Sequence, residues 1–453
     1  MMNQSIIFPD VFSKPVVVEF SEESLSSDGG SLLLSALDRK FGLTAIISSC
    51  LKDERQEGKV QHDVLEMVQQ RVFSIANGYE DCNDAAKLGA DPVLKTACGL
   101  GAVNDDTLAS QPTLCRFENS VSAGELQKVG CQLAETVISI QKNRRKGKKT
   151  PKVITIDMDP YCDPTYGGQQ LTFFNGFYDN YCYLPQLATL CFDDESTQYA
   201  VAAILRPGNK GAKHGVIPIL NRLLPLLRKN FPKSAIRFRA DANFSGEEIF
   251  AFLEKEKIGY YIGVGGNSVL KGLSAVSAEF AQLLHNITGE KETRYSETMY
   301  QAGSWSKARR VVFKAEVLTL PGREPKVNQR YVVTNLRYSS KNTFSKYHLR
   351  GDMENRIKEL KLGLRIDRTS CTEFRANQFR ILLTLAAFIL YQILQDKLAG
   401  SEFEKAQVWT IRERLFKIAA RVTESSRRIV LYFTDNYPWK TEWLKLAASL
   451  GAV

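Results

Sequence analysis

Four polar residues of the types that grip and cleave phosphate esters recur at helical spacing in one stretch: Tyr347, Arg350, Glu354 and Lys361. At about 100° per residue, a helix over 346–361 projects all four within an arc of roughly 60°. Leu349, Met353, Ile357, Leu360 and Leu364 fall on the adjoining stripe, so the helix can bury an apolar side while holding the polar row at the edge of a cleft. Taken alone, a solvated charged face explains this stretch equally well, and Gly351 is a poor interior helix residue. Two upstream carboxylates give the row a chemistry. Asp159 ends a β-branched strand beginning at Lys152, and Asp241 follows a second strand over 235–240. Three carboxylates in one cleft can hold two Mg²⁺ ions, or Mn²⁺ in their place, and such a pair clamps the attacking and leaving oxygens of an in-line phosphoryl displacement. Asp157 competes with Asp159 as the first ligand, because residues i and i+2 of a strand face the same way.

The elements that must deliver these residues alternate. After the 152–159 strand come extended segments at 181–183, 187–191 and 198–205, a helix over 216–230, and the 235–240 strand. A helix over 245–257 follows, with Ser245 as N-cap and Glu247 and Glu248 in its first turn, and then a strand over 259–264. This rhythm predicts an α/β catalytic domain over 151–400. Residues 267–340 break it with β-rich stretches at 298–301, 310–318 and 329–336, separated by polar turns such as 321–325, and read as a β-rich insertion. The apolar run from Glu373 to Lys397 predicts a buried core helix, and 401–453 a helical tail with Trp409, Trp439 and Trp443. Upstream, residues 1–30 read as a strand or extended arm ending in a turn cluster. The stretch 31–142 reads as a helical module broken at Gly58, Gly78 and Asp91-Pro92, with no clear helix-turn-helix spacing. Residues 1–150 are thus expected to form a mainly helical N-terminal DNA-binding domain. It closes on a basic run containing Arg144, Arg145, Lys146, Lys148 and Lys149, which suits a phosphate backbone and equally a solvated linker.

Composition narrows the class. A formal net charge of +10 over 453 residues favours an anionic partner, nucleic acid being the commonest for a basic protein of this size. The nine cysteines form no C-x-x-C pair and lack nearby His in zinc spacing, which predicts reduced, packed thiols in a cytoplasmic protein. No basic region followed by an apolar run and cleavage site opens the chain, and the 381–394 run is interrupted by Thr384, Tyr391 and Gln392, so neither secretion nor a membrane span is expected.

The Tyr347, Arg350, Glu354, Lys361 spacing resembles the Y-(2)-R-(3)-E-(6)-K signature of bacterial insertion-sequence transposases with a DDE active site on an RNase H-like fold. Further stretches are similar to one branch, the insertion-sequence thirteen-eighty family: Asp157-Met158-Asp159 with 163–167, Phe174 to Tyr178, Leu205 to Asn209, Arg239 to Phe244, Glu354 to Glu359 and Ala376 to Arg380. Ser27 to Gly30 and Gly78 to Asn83 belong to the same pattern. The resemblance implies an RNase H-like core and makes Asp241 and Glu354 the second and third metal ligands. It favours Asp159 as the first, although Pro160-Tyr161 stand where relatives carry a small residue and Thr. It also implies that Tyr347, Arg350 and Lys361 touch DNA phosphates, and that Trp305 in the insertion stacks on an unpaired base. The partners implied are double-stranded DNA, as element ends and target, and a second copy of the chain on paired ends. An RNase H-fold nuclease that cuts without joining, and a non-catalytic DNA-binding derivative, are the rival readings.

Overall fold

The computed structural model describes residues 6–8, 14, 16–18, 24–103, 105–193, 195–319 and 324–452. Eight strands form one mixed sheet: β1 (Val153–Pro160), β2 (Gln186–Phe192), β3 (Tyr199–Ile204), β4 (Ala235–Ala240), β5 (Gly259–Val264), β6 (Thr293–Tyr300), β7 (Arg309–Leu318) and β8 (Lys326–Thr334). They lie in the order β6-β7-β8-β5-β4-β1-β2-β3. Only the central β1, β4 and β5 run parallel; every other neighbouring pair is antiparallel. β2 is buried along its whole length and β1 over most of it, which requires cover on both faces and explains their near-continuous apolar sequence.

The covering helices that position the site are α1 (Val64–Ala76), α2 (Ala123–Arg144), α3 (Val216–Asn230), α4 (Ser340–His348), α5 (Gly351–Leu364) and α6 (Phe374–Lys397). α2 begins with a full capping box, in which Ser122 and Glu125 satisfy each other's backbone N–H groups. α6 is apolar all round because helices and sheet enclose it. It is long and apolar enough to cross a membrane, yet 94% of its most apolar window is buried inside the protein. Buried apolar residues from Leu33 to Leu450 form one continuous cluster, so the N-terminal helices and the sheet share a core.

The β-rich segment lies between β5 and α4 in the chain, where β6, β7 and β8 extend the main sheet, and the residues before them are helical over Ser268–Leu273 and Ala275–Thr288. Its antiparallel register from Thr293↔Glu316 to Tyr300↔Arg309 continues the β5–β8 ladder outward. The C-terminal stretch is not wholly helical. Ala420–Glu424 pairs with Ile429–Phe433 and with Leu25–Ser26, since buried Ala420 and Val422 alternate with exposed Arg421 and Thr423. The expected single helix over 346–361 is likewise corrected to two helices: Arg350 N–H reaches back to Tyr347 O and Met353 N–H to Arg350 O, three residues rather than four, on either side of Gly351. At the N-terminus Ile6–Phe8 pairs with Val16–Val18, and the turn expected at 321–325 lies largely outside the described residues.

A buried ion pair ties the N-terminal helices to α6. Arg71 of α1 donates to Glu118 at 2.8 Å, both side chains being 1% exposed, and Arg380 of α6 lies 3.8 Å from the other carboxylate oxygen. Replacing Glu118→Ala strands two buried guanidinium groups and should cost about 3–5 kcal/mol. Urea unfolding of the variant measures this, and a loss below about 1 kcal/mol would show the pair to be dispensable.

Candidate active site

The parallel strands β1 and β4 pair with Arg239 opposite Asp157. Carried two residues further, that register sets Asp159 beside Asp241, where both strands end. The two acids of β1 then part company by depth. Asp157 is fully buried and accepts two hydrogen bonds from Arg239, at 2.6 and 2.8 Å, and one from Gln198 Nε2 at 3.0 Å. Its oxygens are committed inside the protein. Asp159 keeps 14% of its side chain exposed and lines a groove with Pro160, Glu354, Ile357 and Lys361. Burial, followed by the nearby Asp241 charge, pushes its carboxyl up to about 7, with Glu354 adding to the rise and Arg350 opposing it.

Asp241 caps the short turn Ala242–Phe244, accepting from Asn243 N–H at 2.9 Å and Asn243 Nδ2 at 3.0 Å. Gly263 on β5 makes room for that turn, because a Cβ there would lie 2.5 Å from the Tyr347 hydroxyl and 2.9 Å from Ala242 N. Tyr347 therefore sits against the Asp241 turn, sharing a second groove with Asp241 and Arg350. Arg350 stands between the grooves, donating to Asp159 Oδ2 at 3.2 Å and Glu354 Oε1 at 2.6 Å. Glu354, with 60% of its side chain exposed, reaches the site from the first turn of α5.

Tyr347, Arg350 and Glu354 thus gather around Asp159 and Asp241. Lys361 does not join them as a free charge: its Nζ donates to Cys162 O at 2.9 Å and pairs with Asp367 at 3.4 Å, fastening α5 to the end of β1. Trp305 is corrected. It is 6% exposed, packed edge-on against Phe250 at 5.1 Å and Tyr300 at 5.5 Å, and so offers no face to a base. In the basic run, Arg144 and Arg145 belong to the end of α2 and bind Glu195, with Asp396 3.4 Å from Arg144 and the Phe192 ring 4.1 Å from Arg145. Lys146, Lys148 and Lys149 are exposed. The sequence reading missed Arg239, although its place two residues before Asp241 mirrors that of Asp157 before Asp159, the signature of a cross-strand pair on adjacent parallel strands.

Carboxylates without sulfur or imidazole are the donor type that a hard divalent cation takes, and, after burial, the nearby Asp241 and Glu354 charges raise the Asp159 carboxyl, an excess of negative charge that such a cation would relieve. Among the described residues no three His, Cys, Asp or Glu stand close enough together to hold a metal, and here the Arg350 guanidinium supplies the balancing charge.

A family model described as transposase DDE domain group 1 matches residues 8–453. No curated protein matches the chain.

Asp157 and Asp159 should separate on substitution. Asp157→Ala leaves Arg239 buried without its carboxylate and should cost about 3–5 kcal/mol in urea unfolding. Asp159→Asn should leave stability unchanged or higher, because it removes a desolvated, like-charge-crowded carboxylate; the reverse order would undo the assignment. A second acid governs pH response. Asp163 is fully buried with Thr369 Oγ1 3.0 and 2.9 Å from its two oxygens, and burial chiefly pushes its carboxyl up to about 8. Between pH 3.8 and about 8 the folded state therefore holds a proton that the unfolded chain has released, so this group's stabilisation is lost as pH rises through that window. The wild type should lose stability with rising pH relative to Asp163→Asn, by up to about 1.4 kcal/mol per unit, in melts compared from pH 5 to pH 8.

Proposed function

Because the chain belongs to the DDE transposase family, a family that acts on DNA, we propose that it binds the terminal inverted repeats of its own insertion sequence, hydrolyses DNA at the ends and joins the freed 3′-OH to target DNA. The convergence of Asp159, Asp241 and Glu354 from three different elements, with Tyr347 and Arg350 beside them, carries this reading. The order of the first five strands, 3-2-1-4-5 with strand 2 antiparallel to strand 1, supports an RNase H-like core. The signature spacing in α4 and α5, with the other matching stretches, supports the thirteen-eighty branch.

Asp159, Asp241 and Glu354 would hold Mg²⁺, or Mn²⁺ in its place, supplying Lewis-acid stabilisation of the phosphoryl oxygens and a lowered pKa for the attacking water. The protein's own contribution is placement. The Asp157–Arg239 pair fixes the strand ends, and Asn243 orients Asp241. Arg350, whose fork is formed for paired oxygens, passes from the carboxylates to a DNA phosphate, and Tyr347 donates to the same backbone. Water attacks the phosphorus at the element end and expels the 3′-OH, which then attacks a target phosphorus and displaces the target strand's own 3′-oxygen, so no covalent protein intermediate is required. Lys146, Lys148 and Lys149 add salt-dependent affinity for the duplex, and a dimer brings two ends together in the cytoplasm.

Asp241→Ala and Glu354→Ala should each lower Mg²⁺-dependent end cleavage by at least about a thousandfold while end binding in gel-shift assays changes less than about threefold. Cleavage retained by either variant would refute the site. Pre-cut ends offered to the wild type separate a transposase from a nuclease, since only the former joins them to target DNA.

A further inference from the structure

Between β1 and β2 the chain makes a short hairpin whose surface is unusually aromatic. Phe173–Asn175 pairs with Asn180–Tyr183, which in turn pairs with Asp163–Pro164. Phe177 is 85% exposed, Tyr181 58% and Phe174 53%. Phe174 and Tyr181 stand opposite one another across the ladder, ring centroids 5.6 Å apart, and Phe177 meets Tyr178 at the tip at 4.9 Å. So large a cluster of exposed rings is costly in water and marks a binding surface.

The hairpin is held rigidly. Asn175 Oδ1 accepts from Phe177 and Tyr178 N–H at 3.1 and 3.3 Å, and its Nδ2 donates to Gly208 O at 2.8 Å. Gly208 passes so close that a Cβ would lie 2.1 Å from Cys182 O. The buried Arg206 pins the same loop, donating to Leu184 O at 2.7 Å and His214 O at 2.8 Å. Rings mounted on a locked turn lose little entropy on binding a flat partner.

Its location and charge select that partner. The hairpin starts four residues beyond Asp159, and Lys361 clamps the intervening Cys162 carbonyl to α5. Its supporting loop carries Lys210 and Lys213, and Lys213 reaches Ser245 O at 3.2 Å, next to the Asp241 turn. Exposed rings flanked by lysines and adjoining a phosphodiester-cleaving cleft match the stacking platform and cationic track of single-strand binding sites. We propose that Phe174, Phe177 and Tyr181 stack on unpaired bases of the DNA strand next to the scissile phosphate. This inference rests on DNA being the substrate and assigns to the hairpin the stacking that Trp305 cannot perform.

The test uses the full chain without divalent metal, so that it stands apart from cleavage. Fluorescence anisotropy with a labelled oligo-dT strand and with a duplex of equal length gives two affinities. Phe177→Ala combined with Tyr181→Ala should weaken oligo-dT binding by about tenfold or more and duplex binding by less than about twofold, while Phe177→Trp should retain oligo-dT affinity and show quenched fluorescence on binding. Unchanged oligo-dT affinity, an equal loss on the duplex, or conversion of a wild-type dimer to monomer by the double substitution would overturn it, the last by showing the rings to be a self-association surface. Because these side chains lie at the surface, matched thermal unfolding verifies that the variants are folded. If the wild type shows no metal-dependent cleavage while the oligo-dT selectivity holds, the catalytic reading fails and the stacking surface stands.

Discussion

The pairing of Asp157 with Arg239 across β1 and β4 is the constraint on which the site depends. Burying two opposite charges in the middle of a sheet gains little net stability, because the desolvation of each offsets most of their attraction. What it imposes is register: only one alignment of β1 against β4 brings the guanidinium fork onto both carboxylate oxygens. A slip by one residue would leave the two side chains on opposite faces of the sheet. Arg239 also donates to Lys346 O at 2.6 Å, so the same guanidinium anchors the end of α4 immediately before Tyr347. One buried side chain thereby aligns the strands that end in Asp159 and Asp241 and the helix junction that carries Tyr347, Arg350 and Glu354.

Beyond that pair the balance of charge reverses. The interior pair is neutral and closed, whereas the strand ends place Asp159 beside Asp241, with Arg350 and Glu354 reaching in from the helix junction. Burial first, and then the Asp241 charge, raises the Asp159 carboxyl to about 7. Arg350 neutralises part of the excess, yet the pair it makes with the exposed Glu354 is screened by water and weak. Its grip on that side is loose, while Asp157 and Arg239 are held deep inside the sheet. Depth alone distinguishes the aspartate committed to the interior from the one that opens to the groove two residues along the same strand.

Much of this was legible in the sequence. The β-branched runs foretold β1, β4 and β5 nearly to the residue, and the apolar run before Lys397 foretold α6, because strong periodicity and full burial leave few alternatives. The signature spacing found Tyr347, Arg350 and Glu354 although the helix that motivated it is interrupted, since a single tightened turn rotates side chains too little to scatter the row. Lys361, a full two turns further, is carried instead to the Cys162 carbonyl. Local pattern also says nothing of which sheet a strand joins, so the sequence left open that β6 to β8 extend the main sheet, and the period-two pattern of Ala420 to Glu424 was lost among helical neighbours. Aromatic type without burial misled at Trp305, whose large apolar area is better satisfied against Phe250 and Tyr300 than in water.

The contrast between Trp305 and the hairpin rings shows where a chain can expose aromatic surface. β5, β7 and β8 carry buried apolar residues that continue the core, and an indole near them is drawn in. The hairpin has three short strands whose buried side is filled by Cys182 and Tyr183, and Phe174, Phe177 and Tyr181 are left exposed. Its rigidity comes from polar sources instead, the Asn175 turn, the Gly208 approach and the Arg206 clamp. The three-stranded unit follows directly on the strand that delivers Asp159, and the Cys162 carbonyl between them is held to α5 by Lys361, so the rings and that carboxylate are carried by one connected stretch of backbone.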